Sequence, residues 1–307
     1  MAWHIYLLVA PLLGGLGLLV WMVLIEPRRF RVQNVPLPCR NGTLPPLRIL
    51  HVTDTHLRGR DRVKLDFLRT LADAERFDLV FYTGDLIHCP DGIASLIEAV
   101  SLFEPRLGSY AVLGGHDYVQ VKAPSVYWHM LTLRRLRWAC RPNPVDHLIG
   151  QLEAGGVTVL SDQSARVECP DGRRLTLVGL RDAFQFEPDF ESAWKDIERD
   201  EPVIVLAHSP DVLPEVVRRG AAAAFFGHTH GGQIRLPGMG ALVTRTRMPR
   251  ACARGVFRWG ETSCVVNCGL GAAPATPFRL LCPPEVVVAE LGRDGAPDLP
   301  ELGVPDG

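Results

Sequence analysis

The sequence predicts an α/β fold of two packed β-sheets flanked by helices, with one apolar helix at the N-terminus. The first half alternates apolar runs of strand length with segments of helical periodicity, and the second half adds many strands with fewer helices. Residues 5–25 contain no charged side chain. A chain of 307 residues with 47% hydrophobic residues can bury a large core. The formal net charge of -1 gives no indication of a nucleic-acid partner.

The N-terminal segment at residues 5–25, IYLLVAPLLGGLGLLVWMVLI, is long enough to cross a bilayer. About 20 apolar residues span the hydrocarbon core as a helix. A cleaved signal peptide normally begins with basic residues, but here no Lys or Arg precedes the run. A permanent transmembrane anchor is therefore favoured over a signal peptide, and the length of the run disfavours a buried core helix.

The flank after this segment predicts its orientation. Arg28, Arg29 and Arg31 follow the run, and the positive-inside rule places such a flank in the cytoplasm. The eight cysteines are scattered without a CxxC pair, which suits a reducing compartment. We expect a single-pass membrane protein with a cytoplasmic main domain, and an outward-facing exported protein is the alternative.

Composition divides the chain into four parts. Residues 1–27 are the predicted anchor, and residues 28–46 are rich in proline, which predicts a linker. Residues 47–292 carry the alternating strand and helix patterns of the main domain. Residues 293–307 are rich in Gly, Pro and Asp, which predicts a loose tail.

Apolar runs and periodicities predict the elements of the main domain in order. One helix is indicated by the spacing of Leu65, Leu68, Leu71 and Ala72, and a second helix face repeats over residues 93–103. The predicted strands are LRILHVT (47–53), LVFYTG (79–84), YAVLG (110–114), VTVL (157–160), LTLVGL (175–180), VIVLAH (203–208), AAAFF (222–226), CVVN (264–267) and EVVVAEL (285–291).

Histidine and aspartate follow five of these apolar runs at the C-terminal end, where ligand sites gather in α/β sheets. Imidazole and carboxylate suit borderline metals such as Mn, Fe or Zn. Any one such histidine alone is more often an ordinary core or surface residue, but that reading does not explain the whole ordered series. The residues are Asp54, His56, Asp85, His116, Asp117, His208, His228 and His230.

This ordered series resembles the motifs of the calcineurin-like metallophosphoesterases, over residues 47–291. The motifs are D-x-H, G-D, G-(N)-H-D, H and G-H-T-H. The later stretches GHTHGGQ, RGVFRWG, CVVNCGLG and PFRLLCPPEVVVAEL are similar to a membrane-anchored bacterial branch of that family. That branch is similar to enzymes that hydrolyse UDP-2,3-diacylglucosamine. The resemblance implies a four-layer α/β/β/α sandwich of two mixed sheets and a location in the cell inner membrane.

The resemblance also implies a centre with two divalent metal ions, Mn, Fe or Zn. Asp85 would bridge the ions, His208 and His228 would belong to the second ion, and the other ligands would hold the first. The full set of implied ligands is Asp54, His56, Asp85, His208, His228 and His230.

The His116-Asp117 pair is the implied catalytic part. His116 would stabilise the phosphoryl transition state or protonate the leaving oxygen, and Asp117 would orient His116. Gly115 departs from the family pattern, which has an Asn ligand of the second metal at this position. We therefore expect weaker binding at the second metal, down to a one-metal resting state, rather than an inactive enzyme.

Residues 126–141 can form an amphipathic helix, with Arg134, Arg137 and Arg141 on one face. A lid that touches a lipid substrate and an ordinary surface helix are equally consistent with this pattern. Arg279 is a candidate phosphate contact, and a structural ion pair explains it equally well. Arg181-Asp182 is a weaker candidate for lining the same cleft.

The resulting prediction is a metallophosphoesterase that hydrolyses a phosphodiester or pyrophosphate bond by attack of a metal-activated hydroxide. A lipid-linked substrate such as UDP-2,3-diacylglucosamine is the favoured candidate, and the membrane is the expected partner surface. The alternative is a catalytically weak metal-binding scaffold at the membrane. The His116-Asp117 pair counts against this alternative, because a binding module needs no general acid.

Overall fold

The computed structural model describes residues 2–38, 44–121, 140–198, 201–272, 276–292 and 298–302. The helices are α1 (Ala2–Val20), α2 (Arg62–Ala74), α3 (Ile93–Val100), α4 (Gly115–Tyr118), α5 (Val145–Ala154), α6 (Phe190–Trp194) and α7 (Leu213–Arg218). A π-helical turn at Trp21–Ile25 follows α1, and short 3-10 turns lie at Glu26–Arg28, Pro90–Gly92, Pro210–Val212 and Arg250–Ala253.

The strands fall into two large sheets and two short hairpins. They are β1 (Arg31–Leu37), β2 (Leu47–Val52), β3 (Leu79–Thr83), β4 (Ser109–Val112), β5 (Val119–Val121), β6 (Cys140–Pro142), β7 (Val157–Val159), β8 (Gln163–Glu168), β9 (Arg174–Gly179), β10 (Val203–Leu206), β11 (Ala223–Phe226), β12 (Arg235–Leu236), β13 (Gly240–Ala241), β14 (Gly255–Trp259), β15 (Thr262–Val266) and β16 (Glu285–Leu291).

Both large sheets are mixed: the first has one antiparallel pair inside it, and the second has an antiparallel pair at each edge. The first sheet has the order β1-β16-β2-β3-β4-β7, in which β2, β3, β4 and β7 run parallel and β16 runs antiparallel to β2. The second has the order β14-β15-β11-β10-β9-β8, with parallel pairing from β15 to β9. The predicted pair of mixed sheets flanked by helices is confirmed.

Three apolar clusters hold the four layers together. Between the sheets, side chains such as Ile49 and Phe81 pack with Leu206 and Phe225 from the opposite sheet. Helices α2, α3 and α5 cover the outer face of the first sheet, and α6 and α7 cover that of the second. Each fully buried large apolar side chain contributes about 1.5–3 kcal/mol to this packing. The two parallel sheet centres are thereby held face to face.

The predicted linker at residues 28–46 is partly wrong. Arg31–Leu37 form the edge strand β1, which pairs in parallel with β16. Pro36 is tolerated there because an edge strand has one side of its backbone free of ladder hydrogen bonds. Leu37 is almost fully buried, so this segment belongs to the core of the main domain.

The predicted loose tail also contains an ordered piece, at residues 298–302. The N–H of Arg258 donates to the carbonyl of Pro300 at 2.9 Å, and the N–H of Leu302 donates to the carbonyl of Arg258 at 3.0 Å. These bonds extend the edge of the second sheet beyond β14. The predicted amphipathic helix at residues 126–141 lies almost wholly outside the described residues, and the hairpin β5–β6 flanks that stretch.

The N-terminal segment is exposed and apolar, as predicted for an anchor. Val9–Arg28 is 20 residues long with a mean hydropathy of 2.0, which is sufficient to cross a membrane. Its end is bound to the main domain by Glu26, whose carboxylate accepts from the main-chain N–H of Cys282 at 2.6 Å and from Nε1 of Trp21 at 2.7 Å. The N–H of Arg279 donates to the carbonyl of Met22 at 3.0 Å.

Candidate metal centre

The candidate ligands meet because the parallel strands of both sheets end at one edge. Strands β2, β3 and β4 deliver residues from the first sheet, and β10 and β11 deliver residues from the second. The side chains brought to this edge are Asp54, His56, Asp85, His116, Asp117, His208, His228 and His230. Two groups of buried ligand atoms form there, and within each group all atoms lie within 4.8 Å of one another.

The first group contains Asp54, His56 and His230. Nε2 of His56 lies 3.3 Å from Nε2 of His230, and Oδ1 of Asp54 lies 3.5 Å from the same His230 nitrogen. These three residues are the ones predicted for the first metal. Their ligand atoms converge on one point, as a metal site requires.

The second group contains Asp54, Asp85 and His208. Oδ2 of Asp85 lies 3.4 Å from Nε2 of His208 and 3.7 Å from Nε2 of His56. Asp85 therefore stands between a histidine of each group, which is where a bridging ligand must stand. Its bridging role stays a prediction.

His228 lies beside the second group rather than within it. Its Nδ1 is 3.3 Å from Nε2 of His208, while its Nε2 is 3.0 Å from the carbonyl oxygen of Arg245. Its main-chain N–H donates to Oδ2 of Asp54 at 2.9 Å. His228 thus holds Asp54 in place through its backbone and offers Nδ1 to the second site.

Hydrogen bonds from neighbouring residues orient the ligands. Nδ1 of His208 lies 2.8 Å from the carbonyl oxygen of Thr83, so Nδ1 carries a proton and Nε2 is the nitrogen directed toward the site. The hydroxyl of Thr53 donates to Oδ2 of Asp54 at 2.9 Å. Within the described part of the chain, Oδ1 of Asp54 is buried without a hydrogen-bond partner.

The electrostatics of the site fit a bound cation. Burial lowers the pKa of His56 and of His230 well below the usual value, so both rings are neutral and can bind a metal. Burial raises the pKa of Asp54 to about 7. Burial acts in the same direction on Asp85, but the charges of His208 and His116 hold the pKa of Asp85 well below its usual value. Buried carboxylates with an unpartnered oxygen and neutral imidazoles form a donor set that divalent cations satisfy.

The backbone at the site is in a sparsely populated conformation. Left-handed φ angles at non-glycine residues cost of order 1–3 kcal/mol each and persist where the surrounding structure imposes them. Five of the six candidate ligands have such angles: Asp54 (48°), His56 (43°), Asp85 (52°), His228 (67°) and His230 (49°). Gly227 is also required, because a Cβ there would overlap the side chains of Thr53 and Asp54.

Asp117 has a different role from the predicted one. Its Oδ1 accepts from the main-chain N–H groups of Leu86 and Ile87 at 2.8 and 3.0 Å, and its Oδ2 accepts from that of Gly114 at 2.9 Å. Among the residues that the structure describes, Nδ1 of His116 is buried with no hydrogen-bond partner. Asp117 therefore ties the loops after β3 and β4 together and does not orient the imidazole.

His116 is held by its backbone instead. Its N–H donates to Oδ1 of Asp85 at 2.7 Å, and its carbonyl accepts from the side-chain amide of Asn143 at 2.9 Å. Its ring packs edge-on against the ring of His56, with centroids 5.0 Å apart. His116 thus lies next to the first group, and its catalytic role stays a prediction.

Arg279 is not a phosphate contact. Its side chain is fully buried, and its guanidinium donates to the carbonyl oxygens of Cys282 (3.0 Å), Cys268 (2.7 Å), Gly269 (3.0 Å) and Gly271. Both terminal nitrogens are bound to main-chain oxygens and the side chain has no exposed surface, so it cannot reach a substrate phosphate. Its hydrogen-bond partners among the described residues are carbonyls and not a carboxylate, so the alternative of an ion pair is wrong too.

Comparison with known proteins agrees with this geometry. The sequence model of the calcineurin-like phosphoesterases matches residues 47–232. The chain belongs to the calcineurin-like phosphoesterase family. Members of this family are metal-dependent hydrolases, and the chain is accordingly a metallophosphoesterase.

Three relatives resemble this metallophosphoesterase over most of their length. Phosphodiesterase YaeI of Escherichia coli is 36% identical over 88% of this chain and 92% of its own. UDP-2,3-diacylglucosamine pyrophosphatase LpxG of Chlamydia trachomatis is 28% identical over 91% and 93%. The uncharacterized metallophosphoesterase YkuE of Bacillus subtilis is 27% identical over 80% and 78%. The predicted family and the predicted hydrolase are confirmed.

Proposed function

We propose that this metallophosphoesterase hydrolyses a phosphodiester or pyrophosphate bond at a two-metal centre, with Asp54, His56 and His230 at one ion and His208 and His228 at the other. The observation that carries the proposal is the pair of buried ligand groups that share Asp54. Asp85 is the remaining proposed ligand and would bridge the two ions.

Each side chain has a task that follows from its position. When bound, the two cations would activate a water molecule and neutralise negative charge at phosphorus. Asp85 contacts His208 of the second group and His56 of the first, and so keeps the two groups next to each other. The half-buried ring of His116 can donate to a phosphoryl or leaving oxygen, because no described residue accepts a hydrogen bond from its Nδ1.

We propose a lipid-linked substrate, such as UDP-2,3-diacylglucosamine, at this centre. LpxG is named for that compound, and an exposed aromatic side chain lies beside the proposed ligand His228 here. The ring of Phe184 is 68% exposed and lies 5.7 Å from the ring of His228. Phe186 is 38% exposed and packs against Tyr118 at 4.9 Å. An exposed apolar rim of this kind suits an acyl chain.

The location proposed is the cell inner membrane, with the catalytic domain in the cytoplasm. The exposed apolar segment Val9–Arg28 and the arginines at its C-terminal flank support this orientation. A reporter fused to the C-terminus tests it: activity of a cytoplasmic reporter is expected, and activity of a periplasmic reporter would reverse the orientation.

A substrate panel tests the proposed reaction. The full chain is purified in detergent, stripped with a chelator and supplied with Mn²⁺. Hydrolysis of bis(p-nitrophenyl) phosphate and of UDP-2,3-diacylglucosamine in mixed micelles is expected, and Asp85→Asn should abolish both. Hydrolysis of the soluble diester alone would refute the lipid-linked substrate. If neither substrate is hydrolysed with Mn²⁺, Fe²⁺ or Zn²⁺, the proposed enzymatic activity is refuted and a metal-binding scaffold is favoured.

A further inference from the structure

Gly115 has no side chain to offer the second metal site, where the family resemblance implies an asparagine ligand. Strand β9 ends next to β10 in the same parallel arrangement, and Asp182 follows it as His208 follows β10. Asp182 therefore lies at the same edge of the second sheet as His208. Asp182 is an additional aspartate at this edge, and its strand, β9, supplies none of the ligands proposed above.

The carboxylate of Asp182 is buried and only half satisfied. Its residue is 1% exposed, and its Oδ1 accepts from the main-chain N–H of Phe184 at 3.2 Å. Among the residues that the structure describes, its Oδ2 has no hydrogen-bond partner. A buried carboxylate oxygen without a partner is costly, so it calls for a ligand.

That oxygen lies in the space that a side chain at position 115 would enter. A Cβ built on Gly115 would be 3.2 Å from Oδ2 of Asp182 and 3.3 Å from Nε2 of Gln185. The absence of a side chain at position 115 therefore leaves room for the carboxylate at position 182. The carboxylate approaches the site from the second sheet, and the missing side chain would have approached it from the first.

The same loop also lies against two of the proposed ligands. A Cβ built on the preceding residue, Gly114, would be 2.5 Å from Oδ1 of Asp85 and 2.8 Å from Cδ2 of His208. The backbone at positions 114 and 115 therefore contacts the second ligand group on one side and Asp182 on the other.

We propose that Asp182 supplies the oxygen ligand that Gly115 lacks at the second metal. This inference rests on the two-metal centre proposed above. This role of Asp182 replaces the expectation of a weakened second site. Its anionic carboxylate would take the place of the neutral amide that an asparagine at position 115 would supply. The second site then keeps an oxygen donor of its own, and the chain holds two cations tightly.

Metal binding tests this inference separately from catalysis. The full chain in detergent is stripped and titrated with Mn²⁺, with bound metal counted by atomic absorption and spin coupling between the ions followed by electron paramagnetic resonance. Wild type should bind two equivalents tightly and show coupling. Asp182→Asn should keep the first equivalent and bind the second at least about 10–100-fold more weakly, because a neutral amide replaces an anionic ligand and even the loss of a carboxylate that only orients a ligand costs that factor.

Three further variants keep the result interpretable if the fold is disturbed. Asp211→Asn is the matched control, because its carboxylate accepts from the N–H of Arg247 at 2.8 Å and from the hydroxyl of Thr246. It should bind both equivalents as wild type does. Gly115→Asn combined with Asp182→Asn should restore the second equivalent, whereas Gly115→Asn alone should give no gain.

The outcomes distinguish the inference from the proposed function. Two tight equivalents in Asp182→Asn would overturn the role of Asp182, as would a single equivalent in wild type. A gain in affinity from Gly115→Asn alone would restore the expectation of a weakened site. If the metal results agree but no substrate is hydrolysed, the proposed reaction fails and the assignment of Asp182 stands.

Discussion

Replacing Arg279 by methionine should destabilise the protein without changing how it binds a small phosphodiester. The guanidinium donates to four main-chain carbonyls, which Arg279→Met would leave buried and unpaired. Each hydrogen bond from a charged group contributes about 1.5–3 kcal/mol, but three of the four share one nitrogen, so their sum is an overestimate. We expect a loss of about 3–5 kcal/mol, the range for breaking a buried charged contact.

Thermal unfolding followed by tryptophan fluorescence in detergent measures this effect. A loss of that size lowers Tm by on the order of 10 °C. Arg181→Gln is the matched control, since Arg181 is partly exposed, pairs with Asp162 and stacks on Phe186 at 5.8 Å. It should cost less than about 1 kcal/mol. An unchanged Tm for Arg279→Met together with a raised KM for bis(p-nitrophenyl) phosphate would show that Arg279 does contact substrate.

Three more substitutions probe the site and the core. His116→Ala should lower kcat for bis(p-nitrophenyl) phosphate about 10²–10⁴-fold with unchanged metal content, and a smaller loss would remove His116 from catalysis. Phe184→Ala should raise KM for a diacyl substrate in micelles but not for the soluble diester, and equal effects would argue against an acyl contact. Burial lowers the pKa of His51 from 6.5 to about 3, so the folded protein binds fewer protons than the unfolded chain between these values. Stability should therefore fall by about 1.4 kcal/mol per pH unit below pH 6.5, and His51→Gln should flatten that slope in urea unfolding.

The strands and the ligand cluster could be predicted from the sequence because both depend on local patterns. Apolar runs mark the parallel strands, and the residues that end them meet wherever such strands align. Edge strand β1 could not be recognised in this way, since VQNVPLP reads as a proline-rich connection. Its strand conformation depends on β16, which lies at the other end of the domain.

Side-chain partners were harder to predict than positions. Asp117 follows His116 directly, which favours a pair, but the turn of α4 points its carboxylate at the main-chain N–H groups of Leu86 and Gly114. Arg279 was interpreted as a phosphate contact or an ion pair, although it is fully buried and bound to main-chain carbonyls. In each case the deciding partner is a main-chain group from another segment, which no sequence motif marks.

The contact of Glu26 with Cys282 has a consequence for substrate delivery. The carboxylate is almost fully buried, and with the Met22 carbonyl it clamps the end of the apolar helix onto the loop before β16. A catalytic domain on a flexible linker would adopt many orientations relative to its helix, whereas this domain is hydrogen-bonded to the end of its helix. These contacts set where the end of the helix lies relative to the loop before β16. A lipid-linked substrate of the kind proposed above would then pass from the membrane to the Asp54 cluster over a distance that this junction limits.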